Sequence, residues 1–206
     1  MKRFLWAAIA AAVLATSSVS ALAANFSFSG NLAGDNDVEL FSLTLASPAD
    51  VTLRTWSYAG GTNAAGNLIA AGGFDPIVSL FFGSGSPALL IDANDDGIGV
   101  SVDPGTGLAL DALLESFALP AGLYTVALSQ VANFANGPTL GDGFLGAGNP
   151  AFDGRTNAWA LDILGADRAS VVPLPGTLAL FMLALAVAGV TCRRGPRIRL
   201  PEGMNP

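Results

Sequence analysis

The chain has 206 residues, 16 acidic and 9 basic, with no histidine and a single cysteine. The length suits one domain of ordinary size. Without histidine there is no His-based acid–base catalysis, no Ser-His or Cys-His nucleophile, and little prospect of a zinc site. Between Ala24 and Val172, 15 acidic residues face only Arg54, Arg155 and Arg168, a net charge of −12. Nucleic acid as a partner is excluded, because binding it requires a cationic face. An acidic body suits cation binding, or simply the solubility of an exported domain.

Residues 1–23 read as a secretory signal peptide. Lys2 and Arg3 give the positive start, Phe4 to Ala15 the apolar stretch, and Ala21-Leu22-Ala23 the small-x-small pattern that predicts cleavage between Ala23 and Ala24. No cysteine follows the cut, so the signal is not of the lipoprotein kind. Cys192, the lone cysteine, has no partner for an internal disulfide, which leaves core or metal to stabilise the exported body.

From Asn25 to about Gly165 the pattern is β. Short runs at Asn25–Ser29, Val38–Leu45, Val51–Tyr58, Ile77–Phe82, Ala88–Ile91, Ala112–Leu119, Leu123–Ser129 and Asn157–Leu164 alternate or run apolar, separated by Gly, Pro, Asn and Asp. Pro120-Ala121-Gly122 marks a turn between two of them. Val51–Tyr58 can bury either face, and in Val38–Leu45 the apolar set runs through Val38, Leu40, Phe41, Leu43 and Leu45. No segment of the body has a helical period. The expected fold is all-β, an antiparallel two-sheet jelly-roll-like sandwich over residues 24–170. Two long Gly- and Asn-rich loops, Ala59–Phe74 and Val131–Thr156, exceed the usual length of structureless connections and are expected to be functional or mobile.

The densest polar cluster is Asp92-Ala93-Asn94-Asp95-Asp96-Gly97. It fits the first half of a calcium loop, in which alternate short oxygen-bearing side chains converge on one ion and a glycine permits the sharp turn. Asp103 falls at the twelfth position. The flanks are β rather than helical, so the expectation is a calcium loop between strands, with a solvated Asn/Asp turn as the alternative. Trp56, Tyr58 and Trp159 invite a carbohydrate-stacking role, although aromatic residues in a sandwich belong more often to its core. Glu39 and Glu115 are the body's only glutamates, and a glycosidase needs two carboxylates about 5–10 Å apart; their pairing is not legible in sequence.

The C-terminal part has three segments in order. Val172-Pro173-Leu174-Pro175 lies within a short Pro-rich stretch, residues 171–176. An apolar stretch follows, residues 177–192, and then Arg193, Arg194, Arg197 and Arg199 in a basic tail, residues 193–206. Leu174 to Cys192 carries no charge and would make a helix about 28 Å long, enough to cross a hydrocarbon core of about 30 Å. The arginines keep the C-terminus in the cytoplasm. This order resembles the PEP-CTERM sorting signal of Gram-negative bacteria, with Leu174 where that family has Glu. The resemblance implies processing by an exosortase, a membrane protease, and passage from the inner membrane to the cell surface or beyond, in association with exopolysaccharide.

A second resemblance covers roughly Asn25 to Gln130. Gly34-Asp35-Asn36-Asp37 leads into Glu39-Leu40-Phe41-Ser42-Leu43, Phe74-Asp75-Pro76 precedes Val78-Ser79-Leu80-Phe81, and Asn94-Asp95-Asp96 and Leu119-Pro120-Ala121-Gly122-Leu123-Tyr124 follow. The order is similar to that of the bacterial pre-peptidase C-terminal domain, a β-sandwich module of secreted proteases. It implies calcium held by Asp35, Asp37, Asp75, Asn94, Asp95 and Asp96. The expected protein is therefore non-enzymatic, exported and calcium-stabilised. The alternatives are a carboxylate-dependent polysaccharide hydrolase, or a membrane-anchored periplasmic binding domain that is never processed.

Overall fold

A computed structural model describes residues 24–146 and 150–173. The predicted signal peptide, Leu174 and Pro175 of the Pro-rich motif, the apolar run and the basic tail lie outside the described residues. Among the described residues no helix is long and apolar enough to cross a membrane.

Eleven strands follow in chain order: β1 (Ala24–Asn31), β2 (Glu39–Leu45), β3 (Ala49–Thr55), β4 (Gly61–Thr62), β5 (Leu68–Ile69), β6 (Pro76–Phe82), β7 (Leu89–Asn94), β8 (Leu113–Leu119), β9 (Gly122–Gln130), β10 (Ala158–Ala166) and β11 (Arg168–Val171). One sheet has the order β1-β10-β3-β8 and the other β11-β2-β9-β6-β7, with β4-β5 as a small hairpin. All strand pairs are antiparallel. The expected all-β sandwich is present, and each of the eight predicted strands is found within a few residues of its expected bounds.

The core lies between the two sheets. Period-2 alternation sends Phe41, Leu43 and Leu45 of β2, Val51 and Leu53 of β3, Val78 and Leu80 of β6, Tyr124, Val126 and Leu128 of β9, and Trp159, Leu161 and Ile163 of β10 into one apolar cluster. This decides the ambiguous faces. β3 buries its Val51–Leu53 side and leaves Arg54 stacked over Trp56 on the other. In β2 the odd-numbered residues face inward, while Val38 and Leu40 pack on the outer side. Trp159 belongs to the core, its ring edge-on to Phe41 at 5.7 Å.

Described parts of both long loops cover the sheets. The loop after β3 folds into the β4–β5 hairpin over the first sheet, and the segment after β9 packs Ala135, Leu140 and Phe144 against Phe81, Ala88 and Ala127 on the outer face of the second. β6, β9 and β10 are consequently buried on both sides. At the opposite end, the Tyr124 hydroxyl donates to the carbonyl of Pro120 at 2.6 Å, a tyrosine-corner tie across the β8–β9 turn. Tyr124→Phe keeps the ring and loses this bond; an expected loss of about 1 kcal/mol should appear as a small fall in denaturation midpoint at unchanged slope.

β11, not the Asn157–Leu164 strand, closes the domain. It pairs with β2 from Arg168 opposite Thr44 to Val171 opposite Phe41, and Val172 N–H donates to Leu40 at 2.8 Å. The sheet thus runs into the first residues of the Pro-rich stretch. Gly165, just before it, has φ +87°, and a Cβ there would lie 2.1 Å from the Asp50 carbonyl, so no other residue fits this bulge.

Candidate functional site: the acidic end of the second sheet

Strand pairing sets which acidic loops can meet. Glu39, Leu128, Val78 and Asn94 form one cross-strand row. Asp35 and Asp37 before β2, Asp75 before β6, and Asp95 and Asp96 after β7 therefore leave the same end of the sheet. β6 and β7 are neighbours, whereas β2 is two strand spacings, about 10 Å, from β6.

The electrostatics follow this spacing. Asp75 is the most perturbed group in the body: burial, then the negative charges of Asp96, Asp95 and Asp111, push its pKa up to about 7, against a smaller pull from Arg155. Asp96 is raised by burial and by Asp95. Asp75 Oδ1 is buried and has no hydrogen-bond partner among the described residues. Asp75, Asp95 and Asp96 thus share one field. Asp35 and Asp37 stand apart, and the Asp37 carboxylate closes its own turn by accepting from Gly34 N–H at 2.8 Å. Glu39 beside it is raised by burial and then by Asp37.

The linear twelve-residue loop is not how the remaining candidates are arranged. Asp92 sits inside β7 opposite Leu80, and Asn94 is the last residue of the strand. Asp92 accepts from Ala93 N–H and, at 3.3 Å, from the Ser116 hydroxyl. Asp95 caps the turn by accepting from Asp96 N–H at 3.0 Å. Asp103 is elsewhere: one oxygen accepts from Gly105 and Thr106 N–H, and the other pairs with Arg155 at 2.5 Å. These bonds hold its carboxyl below the usual range, the Arg155 bond most of all. Gly97 also has another role than a tight turn. A Cβ there would meet Leu113 and Val100 at 2.5 and 2.6 Å, so close approach of β8 is what requires glycine.

Three side chains that sequence reasoning passed over organise the neighbourhood. Asp111, 1% exposed, accepts from the Thr55 hydroxyl and from the N–H groups of Ser57 and Tyr58 at one oxygen, and from Ala59 N–H at the other. Asp162, 2% exposed, accepts from Ser27, the Trp56 indole and Ala64 N–H, fastening the hairpin loop to the outer face. Arg155 stacks on the Tyr58 ring at 3.7 Å and donates to the carbonyls of Gly73 and Tyr58 as well as to Asp103. Its rarity was the available signal, since it is one of three cations in an acidic body.

Among the described residues no three His, Cys, Asp or Glu side chains converge closely enough to form a ready metal centre. What favours a cation is electrostatic: the buried Asp75 Oδ1, without a donor among the described residues, lies in the negative field of Asp96 and Asp95. A hard ion there would draw on Asp75, Asp95 and Asp96, with backbone carbonyls and water completing six to eight oxygens. A scan against protein-family models finds no match, and a search of curated proteins finds none.

Proposed function

We propose that the chain is an exported, non-enzymatic cell-surface or extracellular-matrix protein of a Gram-negative bacterium. In this reading a jelly-roll-like sandwich travels between two addresses, a signal peptide cut between Ala23 and Ala24 and a C-terminal PEP-CTERM-like sorting signal. An exosortase-type protease is the processing partner, the inner membrane holds the precursor with its C-terminus in the cytoplasm, and exopolysaccharide is the matrix partner. The observation that carries the reading is the junction: the last described pairings of the sheet involve Val171 and Val172, and in the sequence Pro173, the rest of the Pro motif, the apolar run and the arginines follow at once.

Intact mass of the mature protein from its native host tests it. The expected product lacks residues 1–23 and everything downstream of the Pro motif. A product that keeps its C-terminal segment overturns sorting and leaves a membrane-anchored periplasmic domain.

Calcium is the stabilising ligand in this proposal, held by Asp75, Asp95 and Asp96. Binding to the folded state alone adds about 2.7 kcal/mol at a hundred times Kd. Melting temperature should therefore rise with added calcium, return with chelator, and lose its response in Asp95→Asn. Unchanged melting under chelator, with no calcium uptake by calorimetry, would reduce Asp95–Asp96 to a solvated turn.

A further inference from the structure

A cleft of about 360 Å³ opens beside Asp75, between the segment that follows β9 and the one that precedes β8; Gln130, Phe152, Asp153 and Arg155 line it with Tyr58 and Thr106. Its size lies in the range of small-molecule sites. Two acceptors at its wall have no donor among the described residues: Asp75 Oδ1, and Oε1 of Gln130, a side chain only 1% exposed. Each buried acceptor left without a donor costs about 1–3 kcal/mol, and native interiors rarely tolerate two side by side. Their backbones are neighbours at the end of the β6–β9 ladder, where Pro76 pairs with Gln130 and the Asp75 carbonyl accepts from Val131 N–H.

The local cation does not relieve them. Arg155 is spent on Asp103 and on the carbonyls of Gly73 and Tyr58. At the rim, exposed Asp153 is held with Phe152 in the left-handed region, φ 54° and 53°, a conformation that non-glycine residues adopt at a cost and that concentrates at functional sites. The lining thus offers the carboxylates of Asp75 and Asp153 and the Gln130 amide, with the Arg155 guanidinium turned to its own partners and the Tyr58 and Phe152 rings as apolar walls.

We propose that this cleft binds a small molecule through a protonated primary amine. The unpaired oxygens of Asp75 and Gln130 are closed to solvent as they stand, so a small rotation of these side chains would bring them to the ammonium N–H groups, and Asp153 would supply counter-charge at the mouth. A metal ion is the weaker occupant here, because it needs more converging oxygens than the lining provides. Asp75 is common to the amine and to calcium, so each should weaken the other. Their failures are separable, since calcium uptake is read on Asp95 and Asp96 and amine binding on Gln130 and Asp153.

The test uses the full chain and three probes at pH 8: ethanolamine; ethylene glycol, of the same size but without the charge; and the bulkier choline, which has the charge but no N–H. Ethanolamine should bind in roughly the millimolar range by calorimetry, within what so few atoms can deliver, and raise the melting temperature. The other two should bind at least tenfold more weakly. Gln130→Leu should weaken ethanolamine at least tenfold. Because that variant alters a buried site, Asp153→Asn at the exposed rim provides a second reading, with an expected loss of several-fold and an unchanged melting temperature of the free protein. Equal responses to choline or ethylene glycol, no response to ethanolamine, or a response to calcium that Gln130→Leu abolishes while ethanolamine has none, each overturns the proposal.

Discussion

Asp111→Ala is expected to remove about 4 kcal/mol or more of folding stability. The carboxylate receives four hydrogen bonds, three of them from consecutive backbone N–H groups of Ser57, Tyr58 and Ala59. These N–H groups lie just beyond the end of β3, and Asp111 supplies their acceptors in place of a strand partner. Deleting it leaves buried donors without acceptors, at about 1–3 kcal/mol each, partly offset where water enters the space. Since a domain of this size is stable by only about 5–15 kcal/mol in all, the variant should sit close to unfolding at room temperature. Asp111→Asn is the sharper probe. One amide oxygen can still serve Thr55, Ser57 and Tyr58, but the amide nitrogen would then confront the Ala59 N–H, donor against donor. The expected loss is about 2 kcal/mol. Chemical denaturation of both variants checks the order, and an alanine variant as stable as the parent would remove Asp111 from this role.

Asp75 makes stability depend on pH in the unusual direction for an aspartate. Its folded pKa, about 7, lies above the ordinary value of 3.8, so the folded chain holds this proton more tightly than the unfolded chain. The resulting stabilisation is complete below about pH 4, declines as pH rises through the interval from 4 to 7, and is gone above it. Full conversion of such a shift gives about 4 kcal/mol. The group is partly solvated, and screening reduces this to on the order of 2 kcal/mol. Asp96 and Glu39, both raised, act in the same direction. Asp103 and Asp142, both lowered, act in the other, and what they contribute is lost as pH falls below about 4. In the presence of chelator the melting temperature should therefore peak near pH 4–5 and fall toward pH 8. Asp75→Asn, which mimics the neutral acid, should flatten the alkaline side and melt higher than the parent at pH 8. Under the proposed calcium binding, added calcium should reverse the slope, because an ion held by the ionised carboxylate would gain affinity as pH climbs through 7. A parent profile that is level from pH 4 to 8, or an unchanged slope in Asp75→Asn, contradicts this account.

The sandwich was legible wherever one physical pattern was sufficient. Alternation marked β2, β3, β9 and β10, and an unbroken apolar run marked β6, which is buried on both faces. Pattern failed where stability comes from tertiary bonding. β4 and β5 are two-residue strands with no period to detect, held in place by Asp162 and Ser27 rather than by their own composition. β11 reads Arg-Ala-Ser-Val, mostly exposed at a sheet edge, and nothing local distinguishes it from the tail it precedes. For the candidate site, the sequence singled out Asp75, Asp95 and Asp96 among its acidic residues, and strand order brings their loops to one end of the sheet. It could not separate them from Asp103, whose position in a spacing pattern coincided with that of a ligand while its carboxylate was already bonded to Arg155, 52 residues away. Asp111 was invisible for a related reason: an isolated aspartate before a strand looks like any turn residue until its four donors are in place.

One consequence of β11 concerns severance. Val172 makes the last described hydrogen bond that fastens the edge strand, and Pro173 has no N–H to contribute. A cut beyond Pro173 would break none of the described rungs of either sheet. A product of such a cut would keep every described bond that holds its layers together.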